Sequence, residues 1–130
     1  TELQAVIGLC QMEKLAARVT RKKIIWQQYA DQLDSCPQVK LLAHDLSITT
    51  PWFIDALVEQ REALGAYLKA EMIGTRVMYP PITQQKVYGI AGSFPVAENI
   101  GANGLWLPSS NQLTDTNIMR ICDAIKAFYT

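Results

Sequence analysis

Length, composition and charge indicate the number of domains and argue against two classes of function. The chain has 130 residues, 49% of them hydrophobic, so residues 1–130 are expected to form one domain with its own core. The 12 basic and 12 acidic residues balance, which argues against a nucleic-acid-binding surface. No apolar run approaches the roughly 18 residues that a transmembrane helix requires, so we expect no membrane association.

The first predicted element is a long helix. Thr1 and Gln4 fit a capping box, and apolar residues then recur at spacings of three and four. If Glu2–Leu33 is one helix, it spans about 48 Å at roughly 1.5 Å per residue. A domain of this size has a radius of gyration of roughly 14 Å. We therefore expect that this helix bends, or that one of its ends packs on something outside the domain.

Strand-like and helix-like patterns alternate over the rest of the chain, which predicts an α+β domain. Pro95 suits the first position of a helix, and Gly74 suits the position just after one. Pro80–Phe94 is the longest irregular stretch, and long loops are usually functional or disordered. The predicted strands are Val39–Leu42, Trp52–Val58, Thr75–Tyr79 and Gly104–Pro108, and the later helices are Arg61–Met72, one opened by Pro95 and one capped by Thr114.

Cysteine and histidine usage indicates neither disulfides nor a metal site. Cys10, Cys36 and Cys122 are far apart and share no Cys-x-x-Cys spacing, and the N-terminus has no signal-peptide pattern. Both observations favour reduced thiols in the cytoplasm. Cys10 and Cys122 fall at apolar-periodic positions, so both are predicted to be small core residues. With only one histidine, His44, a zinc site is not expected.

The core is predicted to draw on tryptophans and on the last helix. Trp26, Trp52 and Trp106 are interpreted as core or interface anchors, with Trp106 the most surely buried because it lies in a short apolar strand. His44 and its neighbour Asp45 are expected to be solvated rather than catalytic. The residues expected to face inward from the last helix are Ile118, Ile121, Cys122, Ile125 and Phe128.

Three separated motifs resemble a known enzyme family. They are TELQAVIGLCQMEKL at Thr1–Leu15, IGTRVMYPPITQQKVY at Ile73–Tyr88 and GLWLPSSNQLTD at Gly104–Asp115. Their order and spacing are similar to the C-terminal domain of DegT/DnrJ/StrS sugar aminotransferases, which are fold type I enzymes that use pyridoxal phosphate (PLP). The resemblance implies a small, mainly antiparallel sheet of three to four strands covered by helices.

The same resemblance implies what the chain lacks. In the family, the lysine that binds PLP and the other cofactor-binding residues lie upstream of the first motif. We therefore expect the large domain to be missing, no catalytic or cofactor-binding residue to be present, and no PLP to be bound by this chain alone. The complete enzyme would transfer an amino group, with glutamate the expected donor, to a ketosugar linked to a nucleotide.

The irregular stretch and the strand before it supply the candidate substrate-binding residues. Arg76 suits a phosphate or carboxylate, although a surface ion pair with Glu71 would also explain it. Hydroxyl, amide and aromatic groups on the loop suit a sugar nucleotide, although ordinary loop packing would explain them equally well. Many relatives have a histidine where Thr83 stands. The candidate residues are Arg76, Tyr79, Thr83, Gln85 and Tyr88.

Two functions from different classes remain open at this point. In the first, the chain is the C-terminal domain of a sugar aminotransferase and is inactive alone. In the second, it is a stand-alone binding or oligomerisation module that reuses the fold. The apolar stripe on the first helix predicts a homo-oligomer in either case, because pairing two copies would cover both stripes.

Overall fold

A computed structural model describes every residue from Thr1 to Thr130 and contains five α-helices and four strands. None of the helices is both long enough and apolar enough to cross a bilayer. The helices are α1 (Glu2–Met12), α2 (Leu15–Leu33), α3 (Arg61–Ala70), α4 (Pro95–Asn103) and α5 (Asp115–Tyr129). The strands are β1 (Val39–Leu41), β2 (Ile54–Val58), β3 (Arg76–Val77) and β4 (Gly104–Leu107).

The four strands form one antiparallel sheet in the order β1-β2-β4-β3. The central pair, β2 and β4, aligns Ile54 with Leu107 and Asp55 with Trp106. Each strand is joined to its neighbours through helices or long loops rather than tight hairpins. The α+β class and the antiparallel sheet of the sequence prediction are confirmed.

The alternation of side chains along β2 gives the sheet two different faces. Ile54, Ala56 and Val58 are buried, whereas Asp55 and Leu57, which point the other way, are partly exposed. The buried face carries α2, α3 and α5 and forms a single core cluster of 17 buried residues. Every buried side chain of that cluster is apolar or aromatic, apart from two thiols and the hydroxyl group of Tyr29.

Polar contacts from α2 fix the segment that links β4 to α5. Burial raises the pKa of Tyr29 above its usual value, and its hydroxyl group donates a 3.0 Å hydrogen bond to the carbonyl of Pro108. Arg21 forms a 2.7 Å ion pair with Asp115 and donates a second hydrogen bond to the carbonyl of Leu113. These contacts bind α2 to the start of α5 and position the ends of β4 and its following loop.

The prediction of one continuous helix over Glu2–Leu33 is wrong, because the structure has two helices, α1 and α2, in this range. The helix is interrupted at residues 13–14, where the amide of Lys14 bonds back three residues to the carbonyl of Gln11. Beyond this tightened turn, α1 has no buried residue. Cys10 is therefore exposed, contrary to the core position predicted for it, whereas Cys122 is buried as predicted.

The extent of β3 and the end of α3 also differ from the prediction. Thr75–Tyr79 was predicted as a core strand. The structure has only the two-residue edge strand β3 there, and both of its residues are exposed. Helix α3 ends four residues before Gly74, and Met72 takes the left-handed conformation with φ 60°. The amide of Ile73 reaches the carbonyl of Leu68 at 2.8 Å, which is the Schellman arrangement. Burial of Ile73 and Leu68 in the core stabilises this end without glycine.

Candidate substrate-facing surface

The open face of the sheet carries a cluster of aromatic and charged side chains that we name the Trp106 cluster. Its members are Phe53, Asp55, Arg76, Tyr79 and Trp106. Register places Trp106 between Asp55 on one side and Arg76 on the other, all three on the face away from the core. Three consecutive strands of the sheet therefore each contribute a polar or aromatic group to one patch.

Trp106 is the centre of the cluster. Its ring stacks on Phe53 with centroids 4.5 Å apart and an interplanar angle of 20°, and it meets Tyr79 edge to face at 5.2 Å. The indole N–H donates a 2.7 Å hydrogen bond to Oδ1 of Asp55. Stacking on one side and a charge-assisted hydrogen bond at the edge leave the indole a single orientation.

Arg76 lies above two aromatic rings. Its guanidinium carbon is 5.1 Å from the centroid of Tyr79 and 5.5 Å from that of Trp106, which is cation–π distance. Nη2 also donates a 2.7 Å hydrogen bond to the hydroxyl group of Tyr79. The surface ion pair with Glu71 that was considered as an alternative is not formed. Most of the guanidinium donors are free for an anion.

His44 lies close to the carboxylate of Asp55. Its Nε2 lies 3.5 Å from Oδ2 of Asp55, and its ring meets Trp26 edge to face at 5.9 Å. The expectation that His44 is simply solvated is wrong, because it is half-buried by these contacts. Its sequence neighbour Asp45 turns away and accepts hydrogen bonds from Ser47, which hold the pKa of that carboxyl below its usual value.

The loop residues predicted to bind substrate lie apart from the cluster. Thr83 is in a 3₁₀ turn, Ile82–Gln84, with its hydroxyl oxygen buried and without a partner. Gln85 and Tyr88 are exposed in and beside a second turn. No hydrogen bond, ion pair or aromatic pairing joins these three residues to Arg76. The structure thus brings together only Arg76 and Tyr79 of the five predicted residues.

The path of this loop is set by a close approach to α4. A Cβ atom built on Gly101 would lie 2.5 Å from Cδ of Pro81, which is inside any real contact distance. Glycine at this position lets Pro81 rest directly on the helix. Arg61 strengthens the same junction, since its Nη1 donates a 2.6 Å hydrogen bond to the carbonyl of Gly101. The start of the loop is therefore held against α4 at Pro81.

Sequence reasoning missed three members of the cluster. Trp106 was predicted to be the most buried tryptophan, yet it is only partly buried, while Trp52 is exposed. Phe53 and Asp55 were placed in a strand without a face being assigned to them. The signal that would have found them is the alternation of β2, in which every second residue from Phe53 faces away from the core.

Comparison with known proteins shows to which family this chain belongs. Residues 1–126 match the model of the DegT/DnrJ/EryC1/StrS aminotransferase family. The chain belongs to this family. Enzymes of the family are PLP-dependent, and the resemblance inferred from the three motifs is confirmed.

Two curated relatives illustrate the match. GDP-perosamine synthase of Escherichia coli O157:H7 is 31% identical over 134 residues, which cover 100% of this chain and 36% of that enzyme. GDP-perosamine synthase of Vibrio cholerae is 24% identical over 137 residues, covering 99% and 37%. The chain thus spans about a third of the length of the curated relatives it matches.

Solved structures of related enzymes have the same fold over nearly all of this chain, which again covers about a third of each of them. DesV of S. venezuelae, crystallised with a ketimine intermediate, superposes with a TM-score of 0.88 at 25% identity over 98% of this chain and 36% of that one. A DegT DnrJ EryC1 StrS aminotransferase of Brucella abortus gives 0.82 at 25% identity over 92% and 33%. The α+β domain is therefore one part of a larger enzyme fold in these proteins.

Proposed function

We propose that this chain is the C-terminal, substrate-side domain of a PLP-dependent nucleotide-sugar aminotransferase. Family membership over residues 1–126 supports the enzyme class, and coverage of about a third of each relative supports the role of a part. In this proposal the complete protein is cytoplasmic and transfers an amino group to a ketosugar. The remainder of that protein supplies the cofactor site.

The Trp106 cluster carries the assignment of this domain to the substrate side. An exposed guanidinium group with free donors lies beside two aromatic rings, and this combination suits a diphosphate joined to a flat base. Arg76 would hold the phosphate oxygens, while Tyr79, which is 66% exposed, would contact the base or the sugar. Thr83, Gln85 and Tyr88 would reach the substrate from the neighbouring loop.

The lysines of this chain do not fit the role of the PLP-binding residue. Bound PLP supplies an electron sink, which requires a lysine that attaches it and a partner for its ring nitrogen. Lys22 is the most enclosed candidate, and burial lowers its pKa. Its ammonium group, however, already donates to the backbone carbonyls of Trp52 and Ser109. We infer that the chain alone binds no PLP and does not transaminate.

This inference is tested by incubating the purified chain with PLP, reducing with borohydride and mapping the labelled peptides. We expect slow labelling scattered over surface lysines, and no turnover with glutamate and a nucleotide-linked ketosugar. Stoichiometric attachment at one lysine together with turnover would overturn it.

The substrate role is tested by titrating the isotope-labelled chain with a GDP- or dTDP-linked hexose while the Trp106 indole N–H is followed by NMR. Replacing Arg76 with Gln should weaken binding by about tenfold, because a charge-assisted contact to phosphate is lost. Arg120→Gln is the matched control, since Arg120 is also exposed but bonds only to the carbonyl of Glu71. Equal losses in both variants would mean that only net charge matters.

A second candidate function is an assembly module, and α1 is the observation that favours it. Its apolar residues, among them Val6 and Ile7, are exposed along with Cys10. We propose that two copies of the chain pair through this helix. Light scattering behind a sizing column should show a dimer that Ile7→Glu converts to a monomer, whereas the control Met119→Glu on α5 leaves it intact. A 14.5 kDa monomer for the unmodified chain would remove this candidate.

A further inference from the structure

A second cavity, which shares no residue with the Trp106 cluster, lies between the first half of α2 and two loops. Its volume is about 490 Å³, which lies in the range of sites that hold small molecules. Helix α2 lines one wall with Arg18, Val19 and Lys22, while Trp52 and Asn111 come from the two loops. We call this cavity the α2 cleft.

The α2 cleft contains uncompensated positive charge. Arg18 and Lys22 are four residues apart on one helix face, so their charges lie side by side. The three ion pairs of the chain include neither of them. Lys22 donates a 2.8 Å hydrogen bond to the carbonyl of Trp52 and another to that of Ser109, which holds its ammonium group at the base of the cleft. An anion placed here would meet two cations and no carboxylate partner that competes for them.

The same cleft offers a flat apolar surface and an unused acceptor. The side chain of Trp52 is 74% exposed, and Nζ of Lys22 lies 5.9 Å from the centroid of its ring. Oδ1 of Asn111 is buried without a hydrogen-bond partner. Buried polar atoms of this kind are normally satisfied, so a donor from water or from a ligand belongs next to Asn111.

We propose that the α2 cleft binds a small organic anion that carries a planar ring. The anionic group lies between Arg18 and Lys22, and the ring packs on the indole of Trp52. This site shares no residue with the proposed substrate surface, although the two adjoin where Trp52 meets Phe53 edge to face with centroids 6.4 Å apart.

Phenyl phosphate is the probe, since it combines both features, and phenol and inorganic phosphate each carry one of them. The labelled chain is titrated while the Trp52 indole N–H and the amides of Arg18 and Lys22 are followed by NMR. We expect saturable binding of phenyl phosphate with a dissociation constant of roughly 1 mM or below, and binding of phenol and of phosphate at least about tenfold weaker.

Three variants separate this site from general electrostatic attraction. Arg18→Gln and Trp52→Leu should each weaken the binding of phenyl phosphate by about fivefold or more. The first removes a contact to the anionic group, and the second removes the contact to the ring. Lys69→Gln on α3 removes the same charge far from the cleft and should leave binding unchanged. Lys22 is left intact because it holds two loops together. The proposal is overturned if no saturable shift is seen, if phosphate alone binds as well as phenyl phosphate, or if Lys69→Gln weakens binding as much as Arg18→Gln.

Discussion

Helices α1 and α5 begin alike and end up in opposite environments. Each starts with a capping box, in which the side chains of the N-cap threonine and of the residue three positions later each accept a hydrogen bond from the other's backbone nitrogen. Each also has an acidic residue at its first position, Glu2 in α1 and Asp115 in α5. Yet α5 buries four residues, including Ile118 and Cys122, while α1 buries none.

The difference shows that starting a helix and anchoring it are separate physical events. A cap is made within four residues, so sequence alone can supply it. Burial requires a partner surface, and α5 finds one in α2, α3 and the sheet. Helix α1 lies beyond the interruption at residues 13–14, where nothing in the domain covers it. Three experiments test this difference between the two helices.

The largest effect is expected in thiol reactivity. Cys10 on α1 is exposed, whereas Cys122 on α5 is buried, and burial raises the pKa of Cys122 to about 12. Since the thiolate is the reactive form, Cys122 should label at least about a thousandfold more slowly than Cys10. Labelling with a disulfide reagent, followed by mass spectrometry of the peptides, measures both rates. Comparable rates would mean that α5 opens as freely as α1.

The next effect is on the free energy of unfolding. Ile118→Ala should destabilise the chain by about 2–5 kcal/mol, because it removes a fully buried side chain and leaves a cavity. At concentrations where the chain is monomeric, Ile7→Ala, the matched change on α1, should stay within about 0.5 kcal/mol because Ile7 is exposed in the single chain. Urea denaturation followed by circular dichroism gives both values. A large loss for Ile7→Ala would show that α1 is packed in solution, most simply against a second copy.

The smallest effect concerns the acidic first residues. The hydrogen bond from Arg21 holds the pKa of Asp115 below its usual value, whereas Glu2 has no such partner. A carboxyl whose pKa is lowered by folding contributes stability above its unfolded pKa of about 3.9, and this is lost as the pH falls through the folded value. Asp115→Asn should therefore destabilise slightly at pH 7 and not at all in strong acid.

Glu2→Gln is the control, and it should have little effect at either pH. The midpoint of urea denaturation is measured for each variant and for the unmodified chain, once near neutral pH and once in strong acid. If the difference for Asp115→Asn persists at a pH where the carboxyl is protonated, the ion pair is not its cause.

The fold could be predicted from sequence to the extent that its signals are local. The cap at Thr114, the proline that opens α4 and the spacing of Ile118, Ile121 and Ile125 all act within a few residues, and all three were predicted. The end of α3 was misplaced for the opposite reason. Met72 can adopt the left-handed conformation there because Ile73 is held in the core, which depends on residues far away in sequence.

The candidate site was less predictable than the fold. Arg76 and Tyr79 were found because they lie in a recognisable motif and are three residues apart. Asp55 and Trp106 are 51 residues apart in the chain and meet only because β2 and β4 pair in one register. A shift of one residue in that register would turn Trp106 toward the core. No single-segment pattern contains that information, and the cleft between Arg18 and Trp52 was missed for the same reason.

Motifs, caps and periodic spacing act over short stretches of chain, so they were enough to predict the family, the class of fold and the positions where most helices and strands begin. Long-range packing was needed to establish which of two similarly capped helices is buried, that β3 is an edge strand, and that Trp106 faces outward with Asp55 and Arg76. Each of these depends on which distant segment lies alongside, and that is fixed only when the whole core packs at once.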